Sequence, residues 1–479
     1  MDCDHAHRDR LLLQVTIALA IATRLWLMAT QPLTDLTEAR YGELARVTAE
    51  GGYWLMPHLA PTTPFLAKPP LSTWLSALSW KFLGHNEFFL RLPSLLVSLF
   101  SGALLFAAAP EFGIGRSGRW MAAAALVTSP IWIVCAGSVM TDATQMAVVI
   151  AAMTSSWLAL RHPETVRWRR IFWGTLGVAT LSKGIATLAL IGLPLIAYVV
   201  FGEGLKRVWS ALWDWTGVLL AAAIALGWYV PAEISYPGFL NYFLVGEHFR
   251  RFLEPNWNGD RFGHPHSVTL GTIWLYWVAA TAFWFPVMLQ QVGQKLARRD
   301  VPAATPADRW LWCWVLAPLV FFTFSRNILW TYTLTAIPPF ALLIGRWAEA
   351  NTHWGRRATP ALLAVASSVV FGFAVFWAPS RFESRSAREL VQAATARGPE
   401  RPLYFSGCFQ FSSRFYTGGA AERADGPEAL EKVMQHPGTL VIATPESARH
   451  EIGLGRARLI SERPNAFLIE VVEPRYASR

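Results

Sequence analysis

The chain of 479 residues is 15% charged, where soluble globular proteins average about a quarter, and it is 53% apolar with 24 Trp and 29 Phe. This excludes a single soluble enzyme, because the apolar residues gather into blocks of about 20, the length that crosses a hydrocarbon core of about 30 Å. The formal charge of +10 sits in short loops between those blocks, where the positive-inside rule accounts for it and nucleic acid is not needed.

The predicted fold class is a polytopic all-α membrane bundle. Eleven apolar spans are expected at about Leu11–Thr30, Leu92–Ala109, Trp120–Ala136, Ala143–Leu160, Ile171–Leu181, Ile185–Phe201, Trp215–Val230, Val268–Leu289, Trp310–Phe324, Leu329–Ile344 and Ala361–Trp377. The first follows a short basic segment but has no clean cleavage site, so it reads as an uncleaved anchor. Ile171–Leu181 is the weakest, being short and ending in a polar Ser-Lys-Gly triplet.

Alternate loops carry the basic residues, among them Arg8 and Arg10, Arg116 and Arg119, Arg167 to Arg170, Lys206 and Arg207, Arg298 and Arg299, and Arg356 and Arg357. These are expected in the cytoplasm with the N-terminus. The longer loops, residues 31–87 and 231–267, then lie outside, and an odd number of spans puts the C-terminal segment outside too.

In the first outer loop, apolar Leu36, Tyr41, Leu44, Ala45 and Val47 recur at helical spacing, with Asp35, Glu38, Arg40, Glu43 and Arg46 between them. One reading is an interfacial helix with solvated charges, the other a set of site residues. Lys68 follows, beside two prolines, either as a snorkelling cation or as a point charge for phosphate. Asp142, at the outer junction of the third and fourth spans, is either part of a helix start that it or Thr141 caps, or a site acid. Lys183, and Arg24 in the first span, pose the same choice between snorkelling and function.

The second outer loop holds Glu247, His248, Arg250, Arg251, Asp260, Arg261, His264 and His266 beside aromatics, a mixture suited to a phosphate and a sugar. Its histidines leave room for a divalent metal but lack the spacing of a known site, and no cofactor is called for. Cys3, Cys135, Cys313 and Cys408 form no CxxC pair. Arg326 and Tyr332 stand near the outer end of a later span.

From residue 379 the composition becomes Arg-, Glu-, Ser- and Gly-rich. A helix at Ser386–Ala396, a strand at Pro402–Ser406, a helix after Gly426 to Gln435, a strand at Thr439–Ala443 and a strand at Ala466–Val472 predict a small α/β domain. The expected division is a membrane domain, residues 1–378, and an outer domain, residues 379–479, whose position suggests acceptor selection.

The runs DLTEARYGELARV, GGYWLMPHLAPTTPFLAKPPLSTWLSALSWKFLG and NEFFLRLPSLL resemble the first outer loop of bacterial inner-membrane glycosyltransferases of the GT-C class, the aminoarabinose transferase and protein O-mannosyltransferase group. LSKG, EHFRRFLEP and the stretch ending at Tyr332 and Pro338 resemble that group in the same order, so the resemblance covers about residues 8–380.

The resemblance implies transfer of a sugar from a polyprenyl phosphate donor to a lipid, polysaccharide or protein acceptor at the membrane. It also implies a catalytic carboxylate in the first outer loop. Thr37 precedes Glu38 where aminoarabinose transferases carry Asp, so Asp35 and Glu38 stay open as the base, with Asp35 favoured and Asp142 as the supporting acid. The resemblance gives Arg40, Lys68, Arg251 and Tyr332 to the donor phosphate, and Tyr41, Lys183, His248 and His266 are further candidates.

Ala67, where some relatives have Glu, and Ile328, where many have Lys, leave the acceptor open. A carboxylate that takes the proton of an acceptor hydroxyl as it attacks the anomeric carbon, with cations on the leaving phosphate, implies inversion. A transporter or flippase of lipid-linked sugars is the alternative, but that would call for midplane charges and repeated halves.

Overall fold

The computed structural model describes residues 2–254, 257, 259, 261, 262, 267–297, 304–350, 366, 369–373 and 378–473. They separate into two compact units. One comprises Met1–Trp26, Phe65–Leu75 and Arg91–Phe371, and the other Leu27–Pro64, Ser76–Leu90 and Gly372–Arg479.

The first unit is helical. Among the described residues, five helices are long and apolar enough to cross a membrane, namely Arg8–Thr30, Glu87–Phe112, Asp142–Arg161, Ile185–Glu203 and Trp215–Ser235. A sixth is formed if Thr272–Ala280 and Phe285–Gln294, bent by 104°, are taken as one broken span.

The other expected spans are shorter or interrupted. Trp120–Ala136 divides into helices Arg116–Val127 and Pro130–Cys135, because Pro130 disfavours helical geometry at Ser129. Leu329–Ile344 begins as a 3-10 turn, Trp330–Ala336, and becomes α-helix only at Ile337–Ala350, whose first turn tolerates Pro338 and Pro339. Ile171–Leu181 lies within helix Val166–Lys183. Ala361–Trp377 falls largely outside the described residues.

Small residues let these helices touch. A Cβ on Gly345 would lie 2.5 Å from the Gly118 carbonyl oxygen, and one on Gly118 would lie 2.7 Å from that of Gly345. Helices Arg116–Val127 and Ile337–Ala350 therefore meet backbone to backbone. Gly177 does the same against Ala221, joining helices Val166–Lys183 and Trp215–Ser235.

The second unit is built on a five-stranded sheet. Its strands are β3 (Leu403–Ser406), β4 (Glu422–Arg423), β5 (Leu440–Ala443), β6 (Ala457–Arg463) and β7 (Ala466–Val471), in the order β4-β3-β5-β7-β6. The short pair β1 (His58–Ala60) and β2 (Thr63–Pro64) belongs to the same unit. Strand β3 is parallel to β4 and β5, while β7 runs antiparallel to β5 and β6.

Apolar clusters cover both faces of the sheet, with Leu390, Phe405, Ile442 and Leu468 on one and Val433, Val441, Phe467 and Ile469 on the other. Helices Arg388–Thr395 and Pro427–Met434 lie where the alternation pattern puts them. Helices Gln410–Tyr416 and Pro445–Gly453 and strands β4 and β6 were not anticipated.

Placing a side chain at the Gly118–Gly345 crossing must push two backbones apart. Gly345→Val is expected to cost about 1–3 kcal/mol, read as a lower thermal midpoint in lipid or detergent, whereas Gly192→Ala, where an added Cβ meets nothing within 4 Å, should leave the midpoint unchanged or raise it.

Candidate active site

The paired charges of the first unit start from a glycine. Helix Val166–Lys183 ends at Gly184, whose φ of 65° is a left-handed value that glycine adopts freely and other residues resist. A Cβ there would also lie 2.6 Å from the ring of Phe243. The Ser-Lys-Gly triplet thus turns the chain sharply into helix Ile185–Tyr198 and leaves Lys183 buried.

The Lys183 Nζ donates to Asp142 Oδ1 at 3.0 Å, and it lies 5.5 Å from the centre of the Tyr332 ring. Asp142 opens helix Asp142–Arg161, an end whose dipole favours a carboxylate. Thr141, the residue at the cap position, makes no side-chain cap hydrogen bond to the helix. Arg24 donates to the carbonyl of Ala136 and, at 2.9 Å, to the Ser138 hydroxyl.

A second set of charges centres on Glu247, in the irregular helical segment Asn241–Arg250. Its Oε2 accepts from Lys68 Nζ at 3.2 Å and from Arg251 Nη1 at 3.0 Å, and its Oε1 accepts from the Tyr242 hydroxyl at 2.9 Å. The Glu247 side chain has no exposed surface, while Lys68 and Arg251 keep about a quarter and a fifth of theirs.

Burial works to raise the Glu247 carboxyl, but Lys68, Arg251 and Tyr242 outweigh it and hold it below the usual glutamate range. Burial pulls the Lys68 ammonium below the usual lysine range; Glu247 opposes this, and nearby Arg251 and Lys183 add to it. His248 is lowered chiefly by burial and then by Lys68, so the ring is neutral near pH 7. Its Nδ1 lies 2.7 Å from the Phe243 carbonyl oxygen and its Nε2 3.2 Å from that of Lys183. A neutral ring donates to only one of these two carbonyls, and either way His248 stands between the Glu247 segment and the Lys183 turn.

Lys68, Lys183, Arg251, Asp142, His248 and Tyr332 thus come together in one unit. Sequence reasoning left Glu247 outside its chosen residues and did not single out Tyr242. The signal for Glu247 was its place four residues before Arg251, where helical spacing pairs opposite charges. His266 lies outside the described residues. Among the described residues, no three His, Cys, Asp or Glu side chains gather to hold a metal ion.

Asp35, Glu38, Arg40 and Tyr41 belong to the second unit. Asp35 Oδ1 accepts from the Phe411 amide at 3.1 Å, and its Oδ2 accepts from the Ser412 amide at 3.0 Å and from the Ser412 hydroxyl. Asp35 therefore caps helix Gln410–Tyr416 from nearly 380 residues away in sequence. Burial outweighs these bonds and raises its carboxyl above the usual aspartate range.

Arg40 lies over the rings of Tyr41 and Phe411, at 5.4 and 5.9 Å. Glu38, Glu43 and Arg46 of helix Thr37–Gly51 are buried, and Arg46 pairs with Glu43 at 2.8 Å and Glu50 at 2.5 Å. The solvated interfacial helix expected as one reading is not found, because this polar face is packed inside the unit.

Two substitutions separate these roles. Asp35→Ala leaves two amides and a hydroxyl without their acceptor and is expected to cost about 1–2 kcal/mol, whereas Asp35→Asn keeps an acceptor oxygen and should cost less, both read by thermal unfolding. Gly184→Ala meets both the left-handed backbone and the Phe243 ring, so a loss of at least about 1 kcal/mol is expected, with the stronger effect on any ligand held by Lys183.

A family model described as dolichyl-phosphate-mannose-protein mannosyltransferase matches residues 14–243. The undecaprenyl phosphate-alpha-4-amino-4-deoxy-L-arabinose arabinosyl transferase of Pectobacterium carotovorum subsp. carotovorum is 26% identical over 342 residues, covering 70% of this chain and 59% of its own length. A Proteus mirabilis protein of the same description is 26% identical over 340 residues, covering 68% and 57%. The chain thus spans less than two thirds of these relatives' length.

Among solved structures, ArnT from Cupriavidus metallidurans bound to undecaprenyl phosphate superposes with a TM-score of 0.77 at 19% identity, over 95% of this chain and 97% of that one. The Archaeoglobus fulgidus oligosaccharyltransferase reaches 0.51 at 11% identity, over 94% and 70%. The chain shares the fold of the Cupriavidus metallidurans ArnT structure, and in sequence it resembles the aminoarabinose transferase and protein O-mannosyltransferase group.

Proposed function

We propose that the chain transfers a sugar from a polyprenyl-phosphate-linked donor to a cell-envelope acceptor, a lipid, polysaccharide or protein, on the periplasmic face of the bacterial inner membrane. The observation that carries this reading is the cation cluster. Lys68, Lys183 and Arg251 are held by Asp142 and Glu247 in a largely buried setting, where charges act more strongly than in water. Such a cluster suits a phosphate that gains charge as the sugar leaves it. The relatives named for an undecaprenyl phosphate sugar support the donor class.

In this reading Lys68, Lys183 and Arg251 hold the phosphate and Tyr332 adds a hydrogen bond. Asp35 takes the proton of the acceptor hydroxyl, with Glu38 as the alternative base and Asp142 as the acid that keeps Lys183 in place. A carboxyl raised above the usual aspartate range is a better base, which favours Asp35. Arg40 completes the contacts to phosphate, and direct displacement inverts the anomeric centre.

The proposed organisation is an eleven-span membrane domain over residues 1–378 with a cytoplasmic N-terminus, and a periplasmic α/β domain over residues 379–479. The bonds from Asp35 to Phe411 and Ser412 support a common side for the first outer loop and the C-terminal sheet.

Purified protein in lipid, given radiolabelled polyprenyl phosphate sugars and cell-envelope extract, tests the proposal. Transfer is expected for the wild type, with losses of at least about 100-fold in folded Asp35→Asn and Lys68→Ala. If Glu38→Gln abolishes transfer and Asp35→Asn does not, the base is Glu38. A retained anomeric configuration contradicts direct displacement. Bound but intact donors across the whole panel overturn the enzyme in favour of a carrier.

A further inference from the structure

The two stretches of chain that carry Lys68 and Arg251 also carry a set of aromatic rings that the phosphate reading leaves unused. Gly246 and Glu247 are both buried in segment Asn241–Arg250, and Trp257 covers Gly246, where an added Cβ would lie 2.9 and 3.0 Å from the indole ring. The Trp257 ring centre is 6.2 Å from that of Tyr242, whose hydroxyl donates to Glu247 Oε1 at 2.9 Å. Phe262 stands edge-on to Tyr242 at 6.1 Å and, at 4.8 Å, to Phe65, which shortly precedes Lys68. The rings therefore adjoin the Lys68–Glu247–Arg251 group from both of its stretches.

Trp257 is the ring with a donor to spare. It is partly exposed, and among the described residues nothing accepts from its indole N–H. Tyr242 is committed, its hydroxyl to Glu247 and its ring to the Arg261 guanidinium at 5.2 Å, and Phe65 is buried. A tryptophan kept only to pack a loop would hide its ring and pair its one donor. Lys68 and Arg251 likewise keep part of their surface exposed, so the group is not sealed.

We infer that Trp257 is the platform on which the sugar of the lipid-linked donor rests, held in place by Gly246 and Tyr242. The inference rests on the proposed function and names the group that reads the sugar. In a polyprenyl phosphate sugar one oxygen joins the phosphate to the anomeric carbon, so a phosphate on Lys68 and Arg251 confines the sugar to the walls of their seat. The two cations meet the phosphate and treat all such phosphodiesters alike. An indole face carries the negative side of the ring quadrupole and attracts the C–H hydrogens on one face of a sugar ring, while its N–H donates to a hydroxyl at the rim. Trp257 is thus a specificity-determining residue that takes no proton in the reaction.

The test measures equilibrium binding to the full chain in lipid of undecaprenyl methyl phosphate and of undecaprenyl phosphate carrying mannose, glucose, galactose or 4-amino-4-deoxyarabinose. All share the phosphodiester, so their differences report the sugar. In the wild type at least one sugar donor should bind at least about tenfold more tightly than the methyl diester. Trp257→Leu should remove most of that advantage and leave the affinity for the methyl diester unchanged. Trp257→Phe, which keeps a ring and loses the N–H, should retain part of it. Because the residue is partly exposed, both variants should keep the wild-type thermal midpoint.

No advantage of any sugar donor in the wild type overturns the inference without recourse to a variant. So does an advantage kept in full by folded Trp257→Leu, or an equal loss for the methyl diester and the sugar donors, which marks a structural role. If the wild type binds neither the methyl diester nor any sugar donor, the proposed donor class fails and the platform with it; binding of the methyl diester alone tells the two failures apart.

Discussion

A lysine buried among apolar helices must have an anion beside it, and the Lys183–Asp142 pair is where the first unit meets that demand. An unpaired buried ammonium costs several kcal/mol, of the order of 3–5 kcal/mol when one partner of such a pair is removed. Much of the local architecture serves this pair. Gly184 turns the chain so that Lys183 points inward, Phe243 fills the space that a side chain at Gly184 would occupy, and His248 packs its ring against the Lys183 carbonyl. At His248 the pair adjoins the segment that carries Glu247, and Glu247 in turn holds Lys68 and Arg251.

The second unit follows a different logic. Asp35 spends its carboxylate on the first turn of helix Gln410–Tyr416, and Tyr416 donates to Glu87 at 3.1 Å and accepts from the Leu33 amide at 2.8 Å. Arg388 reaches both Glu87, at 3.6 Å, and the Thr30 carbonyl, at 3.2 Å. The first loop and the C-terminal sheet are thus one folded body, although composition alone draws a boundary near residue 379. The base proposed for the reaction is also a structural cap, so the effect of a substitution there on activity must be separated from its effect on folding.

Much of this was legible in the sequence for identifiable reasons. Block lengths near 20 report membrane crossing because the bilayer fixes the length of a helix. The strands Leu403–Ser406, Leu440–Ala443 and Ala466–Val471 stood out as β-rich runs between turn residues. Asp142 and Lys183 could be singled out as charges beside apolar spans, and Lys68 and Arg251 through the family resemblance. What could not be read was pairing. The Lys68–Glu247 bond joins residues 179 apart, and that of Asp35 with Ser412 joins residues 377 apart. Periodicity carries no information on such distances. Strand β4, two residues long, and helix Gln410–Tyr416 are too short for a periodic signal. The break at Pro130 follows from a local backbone restriction and the bend after Ala280 separates two short helices, and hydropathy reports neither.

The central claim is that Lys68, Lys183 and Arg251 form the seat of a lipid-linked phosphate. An electron cryo-microscopy map of the protein in lipid, with polyprenyl phosphate added, tests it directly. The account predicts phosphate density in contact with the side chains of Lys68 and Arg251 and within reach of Lys183. Well-ordered lipid phosphate density elsewhere, with these three side chains and their two carboxylates unchanged, would contradict it.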